Sequence, residues 1–171
     1  MDASELKQIQ EPLKEKYKSN PEAALITLRS QSRVGEGITC KVETGKMMAE
    51  AGLHPATGGD GLSVCSGDML LDALTACAGV TLKAVATAIN FDLQDAKVFA
   101  EGDLDFRGTL SVDKSAPVGF KDIRLMFELK TSEPQEKIDA LIKLTERFCV
   151  VLQTLKQPNK IIVAVNLAVD I

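Results

Sequence analysis

The chain has 171 residues, a formal net charge of -4 at pH 7, and 4% aromatic residues. This length fits one domain with a core of its own. The acidic balance and the scarcity of aromatic side chains argue against a nucleic-acid surface, which needs clustered basic residues and bases stacked on rings. Four cysteines without a C-x-x-C pair and one histidine lack the usual spacings of zinc ligands, so we expect neither a metal nor a cofactor.

Residues 1–20 predict an amphipathic helix that docks on a surface which the sequence does not identify, with a Lys- and Glu-rich face that is solvated or pairs with a partner protein. One stripe of this helix carries Leu6, Ile9, Leu13 and Tyr17. Asn20-Pro21 ends the helix. The segment has no apolar core of the kind that a secretory signal contains, so we expect a cytoplasmic protein without lasting disulfides. We divide the chain into this helical extension, residues 1–20, and one domain, residues 21–171.

An antiparallel strand pair and a long loop are predicted next. Residues 24–32 and 37–43 alternate as strands around Arg33-Val-Gly-Glu-Gly37, whose glycines suit a hairpin turn. Residues 46–64 contain four glycines and read as a loop, and long loops in compact domains often carry a functional site. Ser66 is placed to cap the helix that follows, with Asp68 in its first turn.

The central helix is predicted from about Gly67 to Asn90. It is about long enough to span a bilayer, but Asp72 and Lys83 lie inside it, so we expect a buried core helix and no membrane contact. Cys77 lies away from the polar stripe that these charges form. Its thiol is therefore expected to point into apolar packing.

Three strands and a helical segment are predicted in the rest of the chain. The strands are expected at residues 97–107, 121–130 and 160–171, the last with alternating apolar residues. The helical segment begins near Pro134 and continues through Cys149 and Leu152. The order of strands, helix, strands, helices and strand predicts an α+β fold with antiparallel pairing.

Two cysteine motifs carry a family resemblance. The first is Gly58-Gly59 followed by Ser66-Gly-Asp-Met-Leu-Leu-Asp-Ala-Leu-Thr-Ala-Cys77, and the second is Cys149-Val-Val-Leu-Gln-Thr-Leu155. Together they resemble the OsmC and organic hydroperoxide resistance (Ohr) superfamily, over about residues 24–171. The resemblance implies an OsmC-like intertwined homodimer, in which antiparallel sheets wrap long central helices and active sites lie at the subunit interface. It also implies that the protein reduces organic or hydrogen peroxides. The oxidised protein would then be reduced again by thiols, notably by lipoyl groups on proteins.

The resemblance assigns a role to each residue of such a site. Cys77 would be the peroxidatic thiol and Cys149 the resolving one. A thiolate attacks the peroxide O–O bond and leaves a sulfenic acid, which a neighbouring thiol traps as a disulfide. Because an apolar pocket opposes ionisation of a thiol, a cation is needed. Family peroxidases use an arginine held by an acid, which implies Arg33, with Arg29 as the second choice, and Asp68 as the acid.

Two positions depart from the family pattern. Gly67 stands where family peroxidases carry a glutamate, so Asp68, one residue on, either anchors an arginine or complements the helix dipole. Val150 follows Cys149 where a proline is common.

Other readings of these side chains remain open. A free cysteine is more often a small core residue than a nucleophile. The alternative is therefore a non-catalytic dimer of the same fold that binds a small apolar ligand or a partner protein. Cys40 and Cys65 are predicted to be structural, and His54 is predicted to be a surface residue of the long loop.

Overall fold

The protein is described by a computed structural model that covers residues 3–34, 40–42, 51–62 and 64–165. Its helices are α1 (Ala3–Ser19), α2 (Ser66–Ala88), α3 (Phe106–Thr109), α4 (Gln135–Phe148) and α5 (Val150–Lys156). Its strands are β1 (Leu25–Val34), β2 (Cys40–Val42), β3 (Ala51–Gly52), β4 (Val64–Cys65), β5 (Asp95–Asp105) and β6 (Phe120–Lys130). Short 3₁₀ turns span Pro21–Ala24 and Pro55–Thr57.

The main sheet has four strands in the order β2-β1-β5-β6, all antiparallel. β1 pairs with β5 from Leu25 opposite Asp105 to Arg33 opposite Lys97. A separate two-residue parallel pair joins β3 to β4. The predicted α+β class, the antiparallel pairing of β1 with β2 and the strands corresponding to β5 and β6 are confirmed, whereas the predicted turn glycines Gly35 and Gly37 lie outside the described residues.

Helix α2 forms the centre of the core. Its buried residues recur every three or four positions, so one wide face is apolar, and this face packs on β1, β5, α4 and α5. The fully buried members include Leu71, Leu74 and Leu82, each of which contributes about 1.5–3 kcal/mol through burial. By length and composition alone α2 could cross a membrane, but its packing is that of a core helix, as predicted.

Helix α1 docks on the Pro55–Thr57 turn, which confirms the expectation that the N-terminal amphipathic helix packs on the protein. The Tyr17 side chain is 2% exposed, and its hydroxyl donates a hydrogen bond of 2.6 Å to the carbonyl oxygen of Ala56. Gln10 Nε2 donates a hydrogen bond of 3.1 Å to the carbonyl oxygen of Thr57. Two backbone carbonyls of one turn are thereby satisfied by side chains of α1.

Two predictions about helix ends are wrong. Ser66 does not cap α2, because β4 continues to Cys65 and keeps it extended, so Cys65 occupies the N-cap position and Ser66 is already helical. The predicted continuous helix through Cys149 is interrupted at that residue. The backbone of Cys149 is extended, with a φ of -71° and a ψ of 104°. Helix α4 ends before this residue and α5 begins after it.

The strand predicted at residues 160–171 is not formed in the part that the structure describes, residues 160–165. This part is exposed and lies outside both sheets. An alternating sequence forms a strand only where a second strand offers hydrogen bonds, and within the described chain residues 160–165 have no such partner. Residues 166–171 lie outside the described residues.

Candidate active site

Cys77 and Cys149 are neighbours although 72 positions separate them in the sequence. Cys77 lies on α2, partly buried against the core, and Cys149 is fully buried at the junction of α4 and α5. Both are free thiols, and they are near enough for Cys77 to raise the pKa of Cys149. The structure therefore brings together the two cysteines singled out in the sequence.

The surroundings of Cys149 keep its thiol protonated. Burial chiefly, together with the adjacent Cys77, raises the pKa of Cys149 to about 11, whereas the backbone N–H groups of Leu152 and Val151 act in the opposite direction. At neutral pH the S–H of Cys149 is therefore retained. A buried, protonated thiol is a poor first nucleophile, since the thiolate is the reactive form.

Asp68 lies in the first turn of α2 and is half-buried. Burial raises the pKa of Asp68, the negative charge of Asp72 raises it further, and the attraction of His54 lowers it. Nine residues of helix separate Asp68 from Cys77, about 13 Å along the axis. Asp68 does not reach Cys77 along its own helix, and the titratable partner that the structure shows for it is His54.

His54 is more enclosed than the surface residue predicted from the sequence. Its ring stacks on Phe106 with centroids 4.9 Å apart and an interplanar angle of 21°. Its Nδ1 accepts a hydrogen bond of 3.0 Å from the backbone N–H of Ala56. Burial lowers the pKa of His54, and the charge of Asp68 opposes that shift.

The cation predicted for the site falls on residues whose side chains lie outside the described part. Arg33 and Arg29 are placed by their backbone on β1, opposite Lys97 and Glu101 of β5. Two arginines with described side chains are already paired: Arg107 contacts Asp105 and Asp113, and Arg124 contacts Glu101 and Asp103. The role of Arg33 stays a prediction.

An apolar groove of about 440 Å³ lies between β6 and α5. One of its lining residues, Leu152, lies three positions after Cys149, and its backbone N–H group lowers the pKa of the Cys149 thiol, so the groove is near Cys149. Its other lining residues are Phe120, Ile123, Leu125 and Leu155, with Lys121, Asp122, Glu146 and Lys156 as polar members.

Comparisons with known proteins give a consistent result. The family model described as OsmC-like protein matches residues 58–164, which is more than half of the chain and includes both Cys77 and Cys149. The chain belongs to the OsmC-like protein family.

Solved structures of OsmC-like proteins share the fold. One is an OsmC-like hydroperoxide resistance protein from Jannaschia sp. CCS1, with a TM-score of 0.55 and 20% identity over 81% of this chain and 91% of that one. Another is an OsmC-like protein from Mycoplasma pneumoniae, with a TM-score of 0.54 and 15% identity over 77% of this chain and 85% of that one. A search of curated protein sequences found no match.

The OsmC-like match begins at Gly58-Gly59, and the structure shows why glycine is needed at both positions. Gly58 has a left-handed φ of 96°, and a Cβ atom there would lie 2.6 Å from Cγ2 of Ile9 on α1. A Cβ atom on Gly59 would overlap the carbonyl oxygen of Leu53. The glycine pair thus lets the loop pass close to its own backbone and to α1.

The departure at Val150 from the common OsmC-like pattern has little effect on the backbone. A proline restricts the residue before it to extended conformations, and Cys149 is extended without one. Val150 occupies the first position of α5, where proline is accepted because the N–H group there needs no partner within the helix. The turn at Cys149 therefore has a geometry that a proline would also allow.

His54 is the residue of this OsmC-like site that sequence reasoning missed. The only sequence signal was its place before Pro55 in the glycine-rich loop, and this signal does not identify a ring partner or an acid. The stacking on Phe106 is a tertiary contact, and the charge of Asp68 raises the pKa of the ring.

Proposed function

We propose that the protein is a thiol-dependent peroxidase that reduces organic hydroperoxides. The observation that carries the proposal is the pair of neighbouring free thiols, Cys77 and Cys149, in a chain of the OsmC-like family. The partly buried Cys77 takes the peroxidatic role, and the fully buried, protonated Cys149 takes the resolving role. Arg33 is proposed as the cation that favours the Cys77 thiolate, supported by Asp68.

The proposed chemistry balances over two steps. The Cys77 thiolate attacks the terminal oxygen of the hydroperoxide, the O–O bond breaks, and the alkoxide leaves as an alcohol after taking a proton. Cys149 then attacks the sulfenic sulfur of Cys77, and water leaves as the disulfide forms. The two electrons come from the two thiols. A small thiol or a lipoyl-protein in the cytoplasm is proposed to reduce the disulfide back to two thiols.

The groove beside Cys149 supports a preference for organic over hydrogen peroxide. An alkyl chain that enters it gains about 0.8 kcal/mol for each buried methylene group, whereas hydrogen peroxide has no apolar surface to bury. We therefore expect cumene hydroperoxide to oxidise the protein faster than hydrogen peroxide does at equal concentration. Equal rates would show that the groove does not favour organic hydroperoxides.

Thiol counting tests the proposed activity. Free thiols are measured before and after a stopped-flow reaction with cumene hydroperoxide, and the wild-type protein is expected to lose two thiols per chain. Retention of all thiols would overturn the peroxidase proposal and leave a non-catalytic dimer that binds an apolar ligand or a partner protein.

A homodimer is proposed as the functional unit. Ile161, Ile162, Val163 and Val165 are between 76% and 86% exposed, and a contiguous apolar segment of this kind marks an interaction surface. Sedimentation velocity should give a species of twice the 18.4 kDa chain mass, and a chain that stops after Asn159 should shift toward monomer. A monomeric full-length chain would contradict the dimer.

A further inference from the structure

We propose that helix α1 and the turn at residues 55–59 form one strap on the OsmC-like domain, which docks and undocks as a unit while α2 and the main sheet stay folded. Helix α1 lies outside residues 58–164, the part of the chain that matches the family model. The inference goes beyond the proposed function and does not depend on it.

The first support is that two side chains of α1 hold successive carbonyl groups of the turn. The Tyr17 hydroxyl donates to the carbonyl oxygen of Ala56 at 2.6 Å, and Gln10 Nε2 donates to that of Thr57 at 3.1 Å. Tyr17 and Thr57 are both buried. The two bonds therefore join the helix to the turn at a place largely closed to water, where an unpaired carbonyl is costly.

The second support is the close approach that one glycine of the loop allows. Gly58 has a left-handed φ of 96°, and a Cβ atom there would lie 2.6 Å from Cγ2 of Ile9 and 3.4 Å from Cγ of Gln10. Gly61 also has a left-handed φ, of 75°, but the nearest atom to a Cβ there is Cγ of Pro55, at an ordinary 3.5 Å. Contact with α1 thus depends on Gly58 and not on Gly61.

The third support is that α1 needs its docking in order to stay helical. Pro12 lies inside the helix, where it offers no N–H group to the carbonyl of Gln8 and crowds that carbonyl. A helix of 17 residues with such an interruption is marginal on its own in water. Its contacts with the hydrophobic core are made by Leu13 and Tyr17. Helix formation and docking are therefore expected to be one event.

The contacts of the strap are also separate from the central packing. Within the described chain, α1 packs mainly on the Pro21–Ala24 and Pro55–Thr57 turns and on α3, whereas α2 packs chiefly on β1, β5, α4 and α5. Elements with few buried contacts open at a lower free energy than the whole fold does. The strap is therefore expected to open while the core stays closed.

Amide hydrogen exchange of the full-length protein, followed by NMR, tests the strap. The amides of residues 57–59 bond to the carbonyl oxygens of His54 and Pro55, so their exchange reports on the turn. In the wild type, these amides and those of α1 should share one protection factor, well below that of β5. Tyr17→Phe removes only the hydroxyl, so exchange in α1 and in the turn should both become about two- to tenfold faster, the effect of one hydrogen bond, with β5 unchanged.

Gly58→Ala and Gly61→Ala form the matched pair. Both place an alanine at a left-handed φ, but only Gly58→Ala sets a Cβ atom against Ile9. Gly58→Ala should therefore speed exchange throughout α1, whereas Gly61→Ala should leave exchange in α1 at the wild-type rate.

Each other outcome would overturn the proposal. If α1 exchanges as slowly as β5 in the wild type, the helix opens only with the whole fold. If the turn keeps its protection in Tyr17→Phe, or if the two glycine variants affect α1 equally, the helix and the turn are not one unit. A Gly58→Ala protein that does not fold would show that the core cannot stay closed without the strap. None of these outcomes depends on peroxide reduction.

Discussion

Cys77→Ser protein is expected to keep its remaining thiols in the presence of cumene hydroperoxide, whereas the wild type loses two per chain. The first step needs a thiolate that the peroxide can reach, and Cys77 is the less buried member of the pair. Cys149, with a pKa raised to about 11 by burial, stays protonated and does not replace it. Serine is nearly the same size, so the core around α2 should persist.

Cys65→Ser is the matched control for this prediction. Cys65 is also a partly buried free thiol, and it lies at the beginning of the same helix α2. This variant should still lose two thiols per chain. If the Cys77 variant reacts as fully as the control, Cys77 is not the peroxidatic residue.

Cys149→Ser is expected to react once and then stop. Cys77 should lose its thiol and form a sulfenic acid, but no second sulfur is next to it to form the disulfide. We expect one thiol lost per chain, a dimedone adduct on Cys77, and sulfinic acid at higher peroxide. Catalytic turnover with a dithiol reductant should fall by at least about tenfold, since the resolving step is lost.

The fold of this variant should be kept. The serine hydroxyl takes the buried place of the sulfur beside the backbone N–H groups of Val151 and Leu152, so we expect a loss of about 1 kcal/mol in the free energy of unfolding. Denaturant unfolding measures this value. Undiminished turnover with an unchanged thiol count would show that another group resolves the sulfenic acid.

Much of the fold could be predicted from the sequence, because its elements carry strong local patterns. The strands β5 and β6 alternate, and α2 is long, apolar and almost free of charge, so burial of one face was the stable arrangement. The helix break at Cys149 left no such trace. Apolar spacing continues across it, whereas the break is local: the backbone of Cys149 is extended, and its carbonyl oxygen accepts the N–H of Gln153 in α5.

The site was less predictable because it depends on tertiary contacts. Nothing in the spacing of Cys77 and Cys149 requires them to meet, and their pairing was an implication of the family resemblance. The place of His54 depends on stacking against Phe106, which lies far from it in the sequence. The strand predicted at the C-terminus has the right pattern, but residues 160–165 have no strand partner within the described chain.

Peptide mapping of the wild-type protein under non-reducing conditions, after one equivalent of cumene hydroperoxide, tests most directly whether the buried pair is a redox centre. We expect a single cross-linked peptide that joins Cys77 to Cys149 within one chain. A cross-link through Cys40 or Cys65 instead, or a protein that returns with all four cysteines unmodified, would contradict it.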